Sequence, residues 1–179
     1  VQDEEIHKPE IDEEWITVAG GPTGEVPTRI VRPKGATGVL PVVLYTHGAG
    51  WVFGDAHTHD RLVRDLAVGT GAAVVFPEYV RAPDVQYPSQ NEQSYAVAQW
   101  IVHHGAEHGL DPERVAISGD SVGGNMAIAL NIMGHERGDV SFKGAALFYP
   151  VTDANFDTES YREFAEGYFQ AREGMKWFW

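Results

Sequence analysis

One stretch constrains the fold more than any other: Val115-Ala116-Ile117-Ser118-Gly119-Asp120-Ser121-Val122-Gly123-Gly124-Asn125. An apolar run that reads as a strand enters Gly-x-Ser-x-Gly, and a small, apolar segment at about 122–134 that reads as a buried helix leaves it. A strand and a helix can be joined through so short a turn only if the serine backbone is strained. Gly119 and Gly123 are then required, because side chains there would strike the neighbouring strand and helix. The geometry lifts Ser121 Oγ above a sheet at a helix N-terminus, where the helix dipole and free N–H groups favour negative charge. Asp120 reads as a brace for this turn.

The remaining pattern supplies the sheet that such a turn needs. Residues 15–19 and 28–31 read as strands separated by the Gly-Gly-Pro-Thr-Gly turn at 20–24. Continuous apolar runs at 40–46, 72–76, 115–118 and 145–149 suit strands buried on both faces. Between them, Leu62, Val63, Leu66 and Ala67 share one helical face, as do Tyr95, Ala98, Ile101 and Val102 within about 89–107. Strands alternating with helices indicate a mostly parallel α/β sheet covered on both sides. Residues 1–14 read as an acidic N-terminal arm, and 15–179 as the domain. Tyr161, Phe164, Tyr168 and Phe169 are spaced as one further helical face, and Asp153 and Asp157 as capping or turn residues.

His47-Gly48-Ala49-Gly50-Trp51 follows the strand at 40–46. A nucleophilic serine generates an oxyanion, and small loop residues let backbone N–H groups face it. Gly48, Ala49 and Val122 are the expected N–H donors. His47 and Gly50 are expected to shape the loop, and Trp51 and Phe53 to line the substrate pocket. A phosphate-binding reading fits less well. The third glycine of a dinucleotide fingerprint falls at Gly54, one place late, and no acidic residue follows at the required distance.

Composition removes several other functions. Thirteen Lys and Arg against 26 Asp and Glu leave a net charge of −13, a poor match for nucleic acid or anionic lipid. With no cysteine, thiol nucleophiles and thiolate metal sites are excluded. No apolar run approaches the roughly 20 residues that span a bilayer. No signal peptide is visible, so a cytoplasmic setting is expected. No carboxylate completes a plausible ligand set with His103, His104 and His108, so no metal site is expected there.

Taken together, the motifs resemble those of the bacterial hormone-sensitive-lipase-like esterases of the α/β-hydrolase fold. That family carries His-Gly-Gly-Gly-(Trp or Phe), Asp-Tyr-Arg-Leu-Ala-Pro-Glu and Gly-Asp-Ser-Ala-Gly-Gly-Asn. Here the matches are His47 to Trp51, Glu78-Tyr79-Val80-Arg81-Ala82-Pro83-Asp84, and Gly119 to Asn125, in the same order and spacing. Ala49 replaces a glycine, Val122 replaces an alanine, and Val80-Arg81 replace Arg-Leu. The resemblance implies hydrolysis of short-chain carboxylic esters through an acyl-enzyme on Ser121, with no cofactor. It also implies a triad acid and histidine on strands after the six counted here, so that 15–179 would be a partial domain. Either a complementing C-terminal polypeptide would then activate Ser121, or His57 or His59 would stand in. The alternative function is an inactive hydrolase-like module for binding or assembly, with homodimerisation favoured by an unpaired sixth strand and the apolar tail Trp177-Phe178-Trp179. Amide cleavage by the same machinery is a third, weaker reading.

Overall fold

The computed structural model describes residues 7–179. Six strands form one sheet: β1 (Ile11–Ala19), β2 (Glu25–Pro33), β3 (Leu40–Thr46), β4 (Ala73–Pro77), β5 (Leu110–Asp120) and β6 (Ala145–Phe148), in the spatial order β1-β2-β4-β3-β5-β6. β1 and β2 pair antiparallel, as do β2 and β4, and β4, β3, β5 and β6 run parallel. The helices are α1 (Asp60–Thr70), α2 (Ser89–His104), α3 (Val122–Arg137), α4 (Glu159–Glu163) and α5 (Arg172–Phe178), with a 3-10 turn at Gly105–His108 after α2.

The two-residue period of the strands divides the core between the sheet faces. Ile30, Leu44, Val75 and Ile117 point to one side, where Tyr95, Val97 and Ile101 of α2 and Ala127 and Leu130 of α3 cover them. Their neighbours Val31, Tyr45, Val74 and Phe76 point to the other, against Val63 and Ala67 of α1. The central strands are buried on both faces, as continuous apolar runs require.

Three expectations are corrected. β1 begins at Ile11 rather than at residue 15, so the last part of the expected arm is strand; residues 1–6 of that arm lie outside the described residues. The acidic residues hide the strand because they answer basic residues of β2 and the turn after it. Asp12 pairs with Lys34, Glu13 with Arg29 and Glu14 with Arg32. β6 is not buried on both faces: Ala145, Ala146 and Phe148 are exposed, since among the described residues β6 is an edge strand with only β5 beside it. Tyr161, Phe164, Tyr168 and Phe169 do not share a helical face, because α4 stops at Glu163. Among the described residues no helix is long and apolar enough to cross a membrane.

Candidate active site

The register between β3 and β5 sets Thr46 beside Gly119, so both strands deliver their following loops to the same end of the sheet. After β5 the chain reverses at Ser121, whose φ of 54° and ψ of −121° place a side-chain-bearing residue in strained backbone. Such strain costs on the order of 1–3 kcal/mol and persists only where surrounding structure enforces it. A Cβ on Gly119 would come 2.6 Å from Thr46 O, and one on Gly123 would come 2.6 Å from the His47 carbonyl carbon and closer still to Thr46 O. Thr46 Oγ1 ties the turn down by donating to Gly123 O at 2.7 Å. Ser121 caps α3, and Val122 begins it.

The loop after β3 lies alongside. Ala49, Gly50 and Trp51 all take positive φ, at 78°, 70° and 60°. The loop is closed by Phe53 N–H on Ala49 O (3.0 Å) and Ala82 N–H on Trp51 O (2.9 Å). His47 is fully buried, stacked on Tyr79 with ring centroids 4.2 Å apart, and its Nδ1 lies 2.9 Å from Gly48 O. Burial depresses its pKa from 6.5 to about 4, so the ring is neutral at pH 7.

Asp120 joins the two loops. Its Oδ1 accepts Gly48 N–H at 3.0 Å and the Tyr45 hydroxyl at 2.8 Å, and His59 Nε2 lies 3.6 Å away. Burial would raise the Asp120 pKa, but His59 and Tyr45 outweigh it and hold the carboxylate below its ordinary range. Burial would likewise lower His59, and the Asp120 carboxylate overrides it, so the imidazole pKa is raised.

These contacts revise the donor set. Gly48 was expected to offer its N–H to an oxyanion, but Asp120 already holds that N–H. Gly48 must be glycine for another reason: a Cβ would lie 2.8 Å from Asp120 O and nearer to its carboxylate. By contrast, Ala49, Gly50 and Val122 N–H form no hydrogen bond among the described residues.

Ser121, Ala49, Asp120, His59 and Tyr149 border one open cavity of about 730 Å³. Trp51 and Phe53 do not line it, because the left-handed run at 49–51 turns the chain away. Trp51 instead borders a neighbouring cavity of about 680 Å³ with Trp177, Phe178 and Trp179, and Phe53 meets Phe178 edge-on at 6.3 Å. Among the described residues no side chain hydrogen-bonds Ser121 Oγ. His57 does not border the Ser121 cavity, and His59, which does, is turned to Asp120. No cluster of three or more potential metal ligands occurs among the described residues. Sequence reasoning took Asp120 as a brace for the turn but missed its bond across to Gly48, and it missed Tyr149 as a lining residue of the cavity. The adjacency of Asp120 to Ser121 and the apolar run ending at Tyr149 were the available signals.

Comparison with known proteins adds to this geometry. A family model described as alpha/beta hydrolase fold matches residues 43–179. Carboxylesterase NlhH of Mycobacterium tuberculosis is 37% identical over 88% of this chain and 50% of its own length. An ethyl acetate hydrolase of Pseudomonas putida is 32% identical over 92% of this chain and 52% of its own. Among solved structures, a thermostable esterase from Pseudomonas putida superposes with a TM-score of 0.87 at 44% identity, covering 95% of this chain and 52% of that one. A hyperthermophilic esterase from the archaeon Pyrobaculum calidifontis gives 0.89 at 34% identity, covering 96% and 56%. The chain thus spans about half the length of the relatives it matches.

Proposed function

Because the chain belongs to the alpha/beta hydrolase family, among the hormone-sensitive-lipase-like esterases, we propose that it carries the nucleophile and oxyanion hole of an enzyme cleaving short-chain carboxylic esters. The observation that carries this reading is the strained Ser121 between free N–H groups of two loops. Ser121 Oγ attacks the ester carbonyl and loses its proton to a base. The carbonyl oxygen becomes an oxyanion held by Val122 N–H and by Ala49 or Gly50 N–H. Collapse expels the alcohol and leaves an acyl-serine, which water then hydrolyses. Each well-placed donor is worth roughly 2.7–4 kcal/mol of barrier. No cofactor enters these steps.

The base is a requirement of the reading, because no histidine among the described residues reaches Ser121 Oγ. The base and its acid partner are supplied from outside the described residues. The alternative is an inactive hydrolase-like module for binding or assembly. A fluorophosphonate separates the two, since it reacts only with a nucleophilic serine. Stoichiometric labelling of Ser121, absent in Ser121→Ala, is expected of the esterase. With imidazole supplied as the missing base, a chain that stays unlabelled over hours beside a serine-hydrolase control overturns that reading in favour of the module.

A further inference from the structure

Tyr149 is the residue that the hydrolytic steps leave unused. It follows β6 with φ of 39°, left-handed backbone that a bulky residue rarely adopts. The segment around it is laced to the nucleophile turn. Phe148 O accepts Ser121 N–H at 2.9 Å, and Val151 N–H donates to Ser121 O at 3.1 Å. Asn125 Nδ2 donates to Val151 O at 2.8 Å, and Pro150 packs directly on Gly124. Both peptide groups of Ser121 are therefore bonded to residues flanking Tyr149, and the strained conformation is fixed relative to Ser121.

Tyr149 is 75% exposed, and its hydroxyl forms no hydrogen bond among the described residues. It borders the cavity that contains Ser121, Ala49 and Asp120. Ala49, on the loop after β3, borders the same cavity with a methyl group of its own.

We propose that Tyr149 is a specificity-determining residue: its ring walls the Ser121 cavity on the β6 side and restricts the acyl group to short, unbranched chains. The inference rests on the esterase reading. Strain at Tyr149 is the cost of holding the wall at a fixed distance from the nucleophile, and backbone strain concentrates at sites of this kind.

The test compares two fluorophosphonates, one with methyl and one with a branched alkyl group on phosphorus, by the rate at which each modifies Ser121. Tyr149→Gly and Tyr149→Asn both accept left-handed backbone, so they remove the ring without disturbing the turn. Each should raise the branched-to-methyl rate ratio roughly tenfold or more, the scale of discrimination that pocket sterics provide. Tyr149→Phe should hold the ratio within about twofold, because the ring and not the hydroxyl forms the wall. A ratio unchanged or lowered in both truncated variants, with Ser121 still labelled, overturns this inference alone. Labelling of Ser121 by neither probe in the unaltered chain, with imidazole supplied as the missing base, overturns the esterase reading and this inference with it.

Discussion

Asp120→Ala tests how the two loops are held together. The substitution removes a buried carboxylate that accepts Gly48 N–H at 3.0 Å and the Tyr45 hydroxyl at 2.8 Å, and that faces His59 at 3.6 Å. Hydrogen bonds to a charged group contribute about 1.5–3 kcal/mol each, and a buried donor left without a partner loses a similar amount. Tyr45 is fully buried and the Gly48 site has no room for another acceptor side chain, so both donors are stranded. The expected loss is about 3–5 kcal/mol, a large part of the 5–15 kcal/mol typical of a domain. Urea unfolding monitored by tryptophan fluorescence would show it as a lower midpoint at unchanged slope. Asp120→Asn should lose less, because its Oδ1 still accepts. Tyr45→Phe should cost less in the Asp120→Ala background than alone, since one bond cannot be broken twice. A loss under about 1 kcal/mol in Asp120→Ala, or additive effects of the two substitutions, would refute the claim that this carboxylate couples the loops.

Other outcomes follow from the same geometry. Gly123→Ala drives a methyl group into Thr46 and His47 main chain, neither of which can yield, and should cost more than about 4 kcal/mol or prevent folding. A soluble variant with an unshifted urea midpoint would contradict this. Acid should destabilise the fold through His47. Its folded pKa, about 4, lies below the ordinary 6.5, so between those values the unfolded chain binds a proton that the folded chain does not. Stability should therefore fall as pH drops through that window, by on the order of 3 kcal/mol from this group. His59, with a raised pKa, has the opposite sign: its contribution is present at low pH and fades as pH rises through its folded value. His47→Gln should flatten the acid limb, and an unaltered limb would count against a buried neutral imidazole.

The parts of the fold that were legible in the sequence are those governed by local rules. Apolar runs and helical periodicity located the central strands and the helices on both faces, and Gly119 and Gly123 marked the turn because the crowding there is severe. The parts that escaped depend on pairings far apart in the chain. Asp120 and Gly48 are brought together only by the register of β3 and β5, and no local pattern encodes that Gly48 N–H is already engaged. The start of β1 was hidden because Asp12, Glu13 and Glu14 look solvated until Lys34, Arg29 and Arg32 are set opposite them. The aromatic residues 51 and 53 follow the glycine loop, but the left-handed run before them decides which cavity they reach.

The central claim is that Ser121 is a nucleophile prepared for acyl transfer, and the most direct measurement is where an acyl group lands. After exposure to p-nitrophenyl acetate, peptide mapping by mass spectrometry should find the Ser121 peptide acetylated ahead of every other serine and threonine peptide. An oxyanion site alone retains roughly 10³–10⁴-fold over water even when its base is lacking. That acetylation should vanish in Ser121→Ala. Acetyl groups spread evenly over exposed hydroxyls, or an unchanged pattern in the variant, would contradict the account.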